Sequence, residues 1–157
     1  MFRSATEGIH RDVYLLRAAK GGKEFNGGIL HRWDINACPM SSMSFCETKA
    51  EVLASWETNG QLYFAPVDGP TAIPRKVVAA SAEPSKRKHS FLAANSKGQT
   101  MLIWIEGSGW QKGGVLTWRV FDSKGNPISE VVAAGPSPTW SFGAVFARKN
   151  GSFVIFT

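Results

Sequence analysis

Phe91-Leu92-Ala93-Ala94-Asn95-Ser96-Lys97-Gly98-Gln99-Thr100-Met101-Leu102-Ile103-Trp104 is the stretch that decides how this chain folds. Two apolar runs flank a short turn of Asn, Ser and Gly, which reads as an antiparallel hairpin. The arrangement recurs on both sides. Val52-Leu53-Ala54-Ser55-Trp56 leads through Asn59-Gly60 into Gln61-Leu62-Tyr63-Phe64, and Val145-Phe146-Ala147 leads through Asn150-Gly151 into Phe153-Val154-Ile155-Phe156. Asn-Gly between apolar runs is a strong hairpin signal because both central residues of a type I′ turn need positive φ. The chain therefore reads as a succession of antiparallel hairpins.

Composition agrees. The 157 residues suffice for one domain with a real core, and only 19% are charged, which argues against disorder. No apolar run approaches the ~20 residues of a membrane helix, and Met1 to Glu7 lacks the basic start and apolar stretch of a signal peptide. The net charge of +6 raises a nucleic-acid reading. Its one dense run, Lys86-Arg87-Lys88-His89, reads instead as a solvated loop, because a nucleic-acid face interleaves such charges with exposed aromatics. No nucleic-acid partner is expected. Cys38 and Cys46 make no zinc signature; a disulfide across a short loop and two reduced thiols both remain open. His10, His31 and His89 stand far apart, so neither metal nor cofactor is expected.

Further elements follow from pattern. Asp12 to Arg17 predicts a strand, residues 26–41 read as loop, and Lys76 to Ala79 reads as a short strand. Residues 44–56 are ambiguous: Ser44-Phe45-Cys46-Glu47 fits a helix capping box, while Val52, Ala54 and Trp56 alternate as in a strand. The turn at Asn59-Gly60 favours a strand from about Val52. Leu116, Trp118 and Val120 share one face of a later strand, with Thr117 and Arg119 on the other. Trp56 and Trp104 close similar runs, Val52 to Trp56 and Thr100 to Trp104, 48 residues apart, close to the ~40–50 residues of a four-stranded propeller blade. The rival architecture is a single β-sandwich of about ten strands.

Several segments, in order, resemble the sialidase-like Asp-box (BNR-repeat) β-propeller family. Arg11-Asp12-Val13-Tyr14-Leu15 precedes a turn in which Gly22 and Phe25 match the Asp box, whereas Ala18 and Lys20 stand in place of its serine and aspartate. Asn36-Ala37-Cys38-Pro39-Met40 is similar to the segment that follows such a box. Trp104 to Trp110, Gly113 to Trp118, and Phe142 to Ile155 resemble the family's last blade and closing strands. The resemblance implies an all-β partial propeller of the six-bladed kind. At ~45 residues per blade the chain holds about three to three and a half four-stranded blades. These form one unit over 1–157, with approximate repeats 1–35, 36–80, 88–135 and 136–157. It further implies glycan binding or hydrolysis by a complete ring, secreted or periplasmic if the full-length protein carries a signal peptide. This chain alone is expected to be inactive and to self-associate through open edges. The alternative is a non-enzymatic module for protein or carbohydrate.

Family sialidases hold a substrate carboxylate with three arginines and use a tyrosine–glutamate pair and an aspartate; the arginine fork suits a carboxylate because it donates two parallel hydrogen bonds. On that pattern Arg3, Arg11 and Asp12 are the first pocket candidates, although Arg11-Asp12 also reads as a plain surface pair. Asp34 and Asn36 lie on a loop that either faces the axis or simply turns. Glu106 and Trp110 flank a Gly-rich loop, where Trp110 either stacks on a sugar or fills the space between blades. Tyr14 and Tyr63 read as packing residues, as do Trp56, Trp104 and Trp118.

Overall fold

The structure, a computed structural model, describes residues 1–18, 21–69, 74 and 76–157. Its thirteen strands form four antiparallel sheets with no helix among the described residues. The first sheet comprises β1 (Phe2–Arg3), β2 (Val13–Ala18) and β3 (Phe25–His31). The second comprises β4 (Ser44–Glu47), β5 (Val52–Thr58), β6 (Gln61–Pro66) and β7 (Val78–Ala79). The third runs through β8 (Arg87–Ala94), β9 (Thr100–Glu106), β10 (Gly114–Phe121) and β11 (Val132–Ser137), and the fourth is β12 (Ala144–Ala147) with β13 (Phe153–Phe156). Every sheet is a meander of consecutive strands, so each hairpin read from an Asn-Gly or Asn-Ser-Lys-Gly turn sits inside one sheet. Four sheets, rather than two wrapped around one interior, set aside the sandwich.

The sheets pack on one another in chain order. Val13, Trp56 and Ala65 join the first sheet to the second, as do Leu15, Ala54 and Val67. Leu53, Leu62 and Phe64 meet Leu102, Trp104 and Phe121 between the second and third. Ile103, Ile105 and Leu116 meet Val145, Phe153 and Ile155 between the third and fourth. Because side chains alternate along a strand, β5 and β9 each serve two neighbours. Trp104 faces the second sheet and Ile103 the fourth. This is why residues 101–105 are an unbroken apolar run in an antiparallel strand: both of its faces are covered. Trp56 and Trp104 occupy the same position in their sheets, each on the second of four strands and each facing the preceding sheet.

Polar bonds reinforce the stack. Ser44, Ser55 and Ser90 form a hydroxyl chain, 2.8 and 2.9 Å long, across the second and third sheets. Trp56 Nε1 donates to His31 Nδ1 at 2.9 Å, and Asn95 Nδ2 donates to the Gly151 carbonyl at 2.8 Å.

Two expectations are corrected, and the ambiguity at residues 44–47 is resolved. Residues 26–41 are not all loop, since β3 begins at Phe25; its Asn26-Gly27-Gly28 looks like a turn but is paired. A Cβ on Gly27 would lie 2.0 Å from the Leu15 carbonyl oxygen, so glycine is there for close approach to β2. Ser44 to Glu47 is strand β4 rather than a helix cap, because pairing with β5 supplies its backbone partners. Val132 to Ser137 is a strand despite Pro136, which is accommodated because β11 is the edge of its sheet. The basic run 86–89 is no solvated loop: β8 starts at Arg87, which is buried. The Lys20 position of the Asp-box comparison lies outside the described residues.

Trp104 is fully buried, whereas Phe156 on the outer face of the fourth sheet is 55% exposed. Trp104→Ala is expected to cost about 3–5 kcal/mol in urea unfolding. Phe156→Ala should cost less than about 1 kcal/mol. Equal losses would contradict the stacking order.

Candidate functional site

The two ends of the sheet stack differ. At one end lie the turns 21–24, 48–51, 95–99, 122–126 and 148–152; at the other lie 4–12, 32–43, 59–60, 80–86, 107–113 and 138–143. The first end places glycine wherever the backbone turns left-handed: Gly21, Gly22, Gly98, Gly125 and Gly151. The second end does not. The seven non-glycine residues with positive φ among the described residues, namely Glu7, Met40, Asn59, Lys86, His89, Gln111 and Trp140, belong to its loops and strand ends. Asn59 is routine in an Asn-Gly turn; the other six are costly conformations for residues with a side chain.

Unpartnered polar atoms collect at the same end. Arg3 Nε, Ser42 Oγ, Glu57 Oε2, His89 Nδ1 and Ser108 Oγ are buried without a hydrogen-bond partner among the described residues. Buried polar groups are nearly always satisfied, so their gathering at one end marks a polar locus. Its centre is Glu57, 1% exposed at the turn end of β5. Burial pushes the Glu57 carboxyl above its ordinary value, with Lys88, Ser41, Arg3 and the Gly60 amide pulling it back. Arg3 donates to the Arg11 carbonyl at 2.6 Å, to Ser41 Oγ at 3.2 Å and to the Glu57 carbonyl at 2.5 Å, and lies 5.0 Å over the Trp33 ring. Lys88 reaches the Pro39 carbonyl. Burial also lowers the pKa of His89, with the neighbouring Lys88 charge adding to it.

Beside this locus, His89 and Ser108 line a crevice of about 20 Å³ together with Lys112 and Trp140, room for about one water molecule. Trp140 meets Trp110 edge to face at 4.9 Å. Both rings are open to solvent, Trp110 at 68% and Trp140 at 55%.

The candidates from sequence separate into three groups. Arg3, Arg11, Asp12 and Asp34 surround one loop, but their charges are already engaged. Arg11 gives its three nitrogens to the Ala37, His10 and Gly8 carbonyls. Asp12 is buried and accepts from the Trp33 amide at 2.9 Å, so it braces the strand start and is not a surface pair. Asp34 holds His10 Nδ1 at 2.6 Å, and that bond raises the imidazole pKa. Asn36 is exposed and makes no side-chain hydrogen bond among the described residues. Glu106 is tied to Arg87 Nε at 3.1 Å and Trp104 Nε1 at 2.6 Å, which explains how Arg87 tolerates burial. Trp110 presents a free aromatic surface.

No arginine cluster is therefore open to a carboxylate among these residues. Neither tyrosine meets a glutamate: Tyr14 stacks on Phe2 at 5.1 Å, and Tyr63 packs on His31 and Trp56. Among the described residues no three His, Cys, Asp or Glu side chains are placed to hold a metal ion, and Cys38 and Cys46 are free. No helix is long and apolar enough to cross a membrane among the described residues. Glu57, Lys88, Ser41 and Trp140 were not singled out from sequence; the one available signal was a carboxylate closing the otherwise apolar strand Val52 to Trp56.

No family model, curated protein or solved structure matches the chain.

Glu57 gives a pH test. Its folded pKa is raised, so ionisation opposes folding: stability is fullest below the ordinary glutamate range and declines as pH rises through the raised value. Glu57→Gln should remove that decline and flatten the profile of urea midpoint against pH. Parallel profiles for the two proteins would contradict a raised Glu57.

Proposed function

We propose that this chain is a non-catalytic carbohydrate-binding module with the architecture of part of a sialidase-like β-propeller. The architectural half of this reading rests on repetition. Consecutive four-stranded meanders stack in chain order, β4, β8 and β12 run in the same direction, and Trp56 and Trp104 are equivalent. On this reading the outer faces of the first and fourth sheets, with Phe2 and Leu16 on one and Phe146 and Phe156 on the other, are blade faces that a closed ring would bury.

The functional half rests on one observation: the exposed Trp110–Trp140 pair at the strained end of the stack. An aromatic face packs against the C–H face of a pyranose, and neighbouring polar groups orient its hydroxyls. Here those groups are Lys112, His89 and Ser108. Binding rather than hydrolysis is favoured because Arg3, Arg11 and Glu106 spend their charges on the protein itself, and because no tyrosine–glutamate pair is formed among the described residues.

A glycan array followed by tryptophan-fluorescence titration with the best hit tests the reading. The expected results are saturable binding, a loss of about tenfold or more in affinity on Trp110→Ala or Trp140→Ala, and no turnover of a fluorogenic sialoside. An empty array, binding indifferent to both tryptophans, or sialoside hydrolysis would each overturn it.

A further inference from the structure

The opposite, glycine-turned end holds a cleft of about 660 Å³, opening between the second and third sheets. That volume is in the range of small-molecule sites. Its floor is apolar. Leu53 and Phe64 close it, and Val78 and Ala94 extend its walls. The two sheets pack through Leu62, Leu102 and Phe121, and the cleft opens beside the turns 48–51, 95–98 and 122–125.

The rim is cationic. Lys49, Lys97 and Lys124 line it, are exposed, and form no ion pair among the described residues. Lys76 adds a fourth ammonium, which donates to the Lys124 carbonyl. Two carboxylates share the rim without cancelling this field. Asp122 is occupied by its own turn, accepting from the Lys124 amide and from both nitrogens of Asn126, and these bonds hold its pKa below the ordinary value. Glu51 sits at the mouth with its pKa raised by burial and by Asp68. Four ammonium groups against the two rim carboxylates, Glu51 and Asp122, leave the mouth net positive.

We infer that this cleft binds an amphipathic monoanion, its hydrocarbon body laid on Leu53, Phe64 and Val78 and its carboxylate held at the mouth by Lys97, Lys124 and Lys49. The charge complementarity selects the head group and the apolar floor selects the body. A fully polar anion such as free phosphate lacks the second contact, and a neutral lipid lacks the first. This site stands apart from the tryptophan pair and does not depend on it.

Laurate is the probe, titrated into the labelled protein and followed by amide chemical shifts. Saturable shifts are expected at Leu53, Val78 and the 95–99 and 122–125 turns. The double charge reversal Lys97→Glu/Lys124→Glu, at exposed positions that leave the fold intact, should weaken binding by roughly tenfold. Added salt should weaken it too. Val78→Trp, checked by thermal melting, should block the cleft, and dodecanol should bind more weakly than laurate. No shifts up to about 1 mM laurate, the weak limit for specific binding, would overturn the proposal. So would shifts confined to the outer faces around Phe146 and Phe156, equal affinity in the charge-reversed protein, or dodecanol binding as tightly as laurate.

Discussion

Burial of β5 and β9 on both faces is the constraint on which the rest of the structure depends. A strand with one wet face alternates polar and apolar residues, whereas these two are apolar, or hydrogen-bonded within the core, at nearly every position. Each successive residue is committed to a different neighbouring sheet. That arrangement forces a layered stack: the second sheet must have the first and third against it, and the third must have the second and fourth. Ser55, which interrupts the apolar pattern of β5, is partnered across layers through the Ser44–Ser55–Ser90 chain. A one-residue slip in β9 would turn Trp104 toward the fourth sheet and expose the mismatch along the whole strand.

The stack has two unlike ends, and the difference is chemical. One end turns on glycines and leaves a cleft with lysines at its mouth. The other turns on residues with side chains held at positive φ, gathers buried polar atoms around Glu57 and presents two tryptophans to solvent. Cationic groups at this second end are largely consumed by backbone carbonyls, so Arg3 and Arg11 fasten loops to sheets. The net charge of +6 is therefore divided between structural guanidinium groups and exposed ammonium groups.

The hairpins were legible because Asn59-Gly60, Asn150-Gly151 and the Asn95 to Gly98 turn carry a local backbone requirement that no tertiary contact needs to supply. What escaped the sequence was set by pairing. The glycines of β3 look like a turn until Leu15 lies against Gly27, and Pro136 looks like a break until β11 proves to be an edge. Arg87 reads as solvated in a basic run, yet its partner Glu106 lies 19 residues away on the next strand. Of the candidate site, Trp110 was legible as an aromatic in a Gly-rich loop. Trp140 was not, because its partnership with Trp110 is created by two loops far apart in sequence, 107–113 within the third sheet and 138–143 linking it to the fourth.

Methyl–methyl nuclear Overhauser contacts from the adjacent residues Leu102 and Ile103 test the layered arrangement most directly. Two-sided burial predicts contacts from Leu102 to Leu53, Leu62 and Leu92, and from Ile103 to Val145 and Ile155, with no overlap between the sets. Contacts from both residues to a single set of methyls would mean one interior rather than stacked sheets, and would contradict the account.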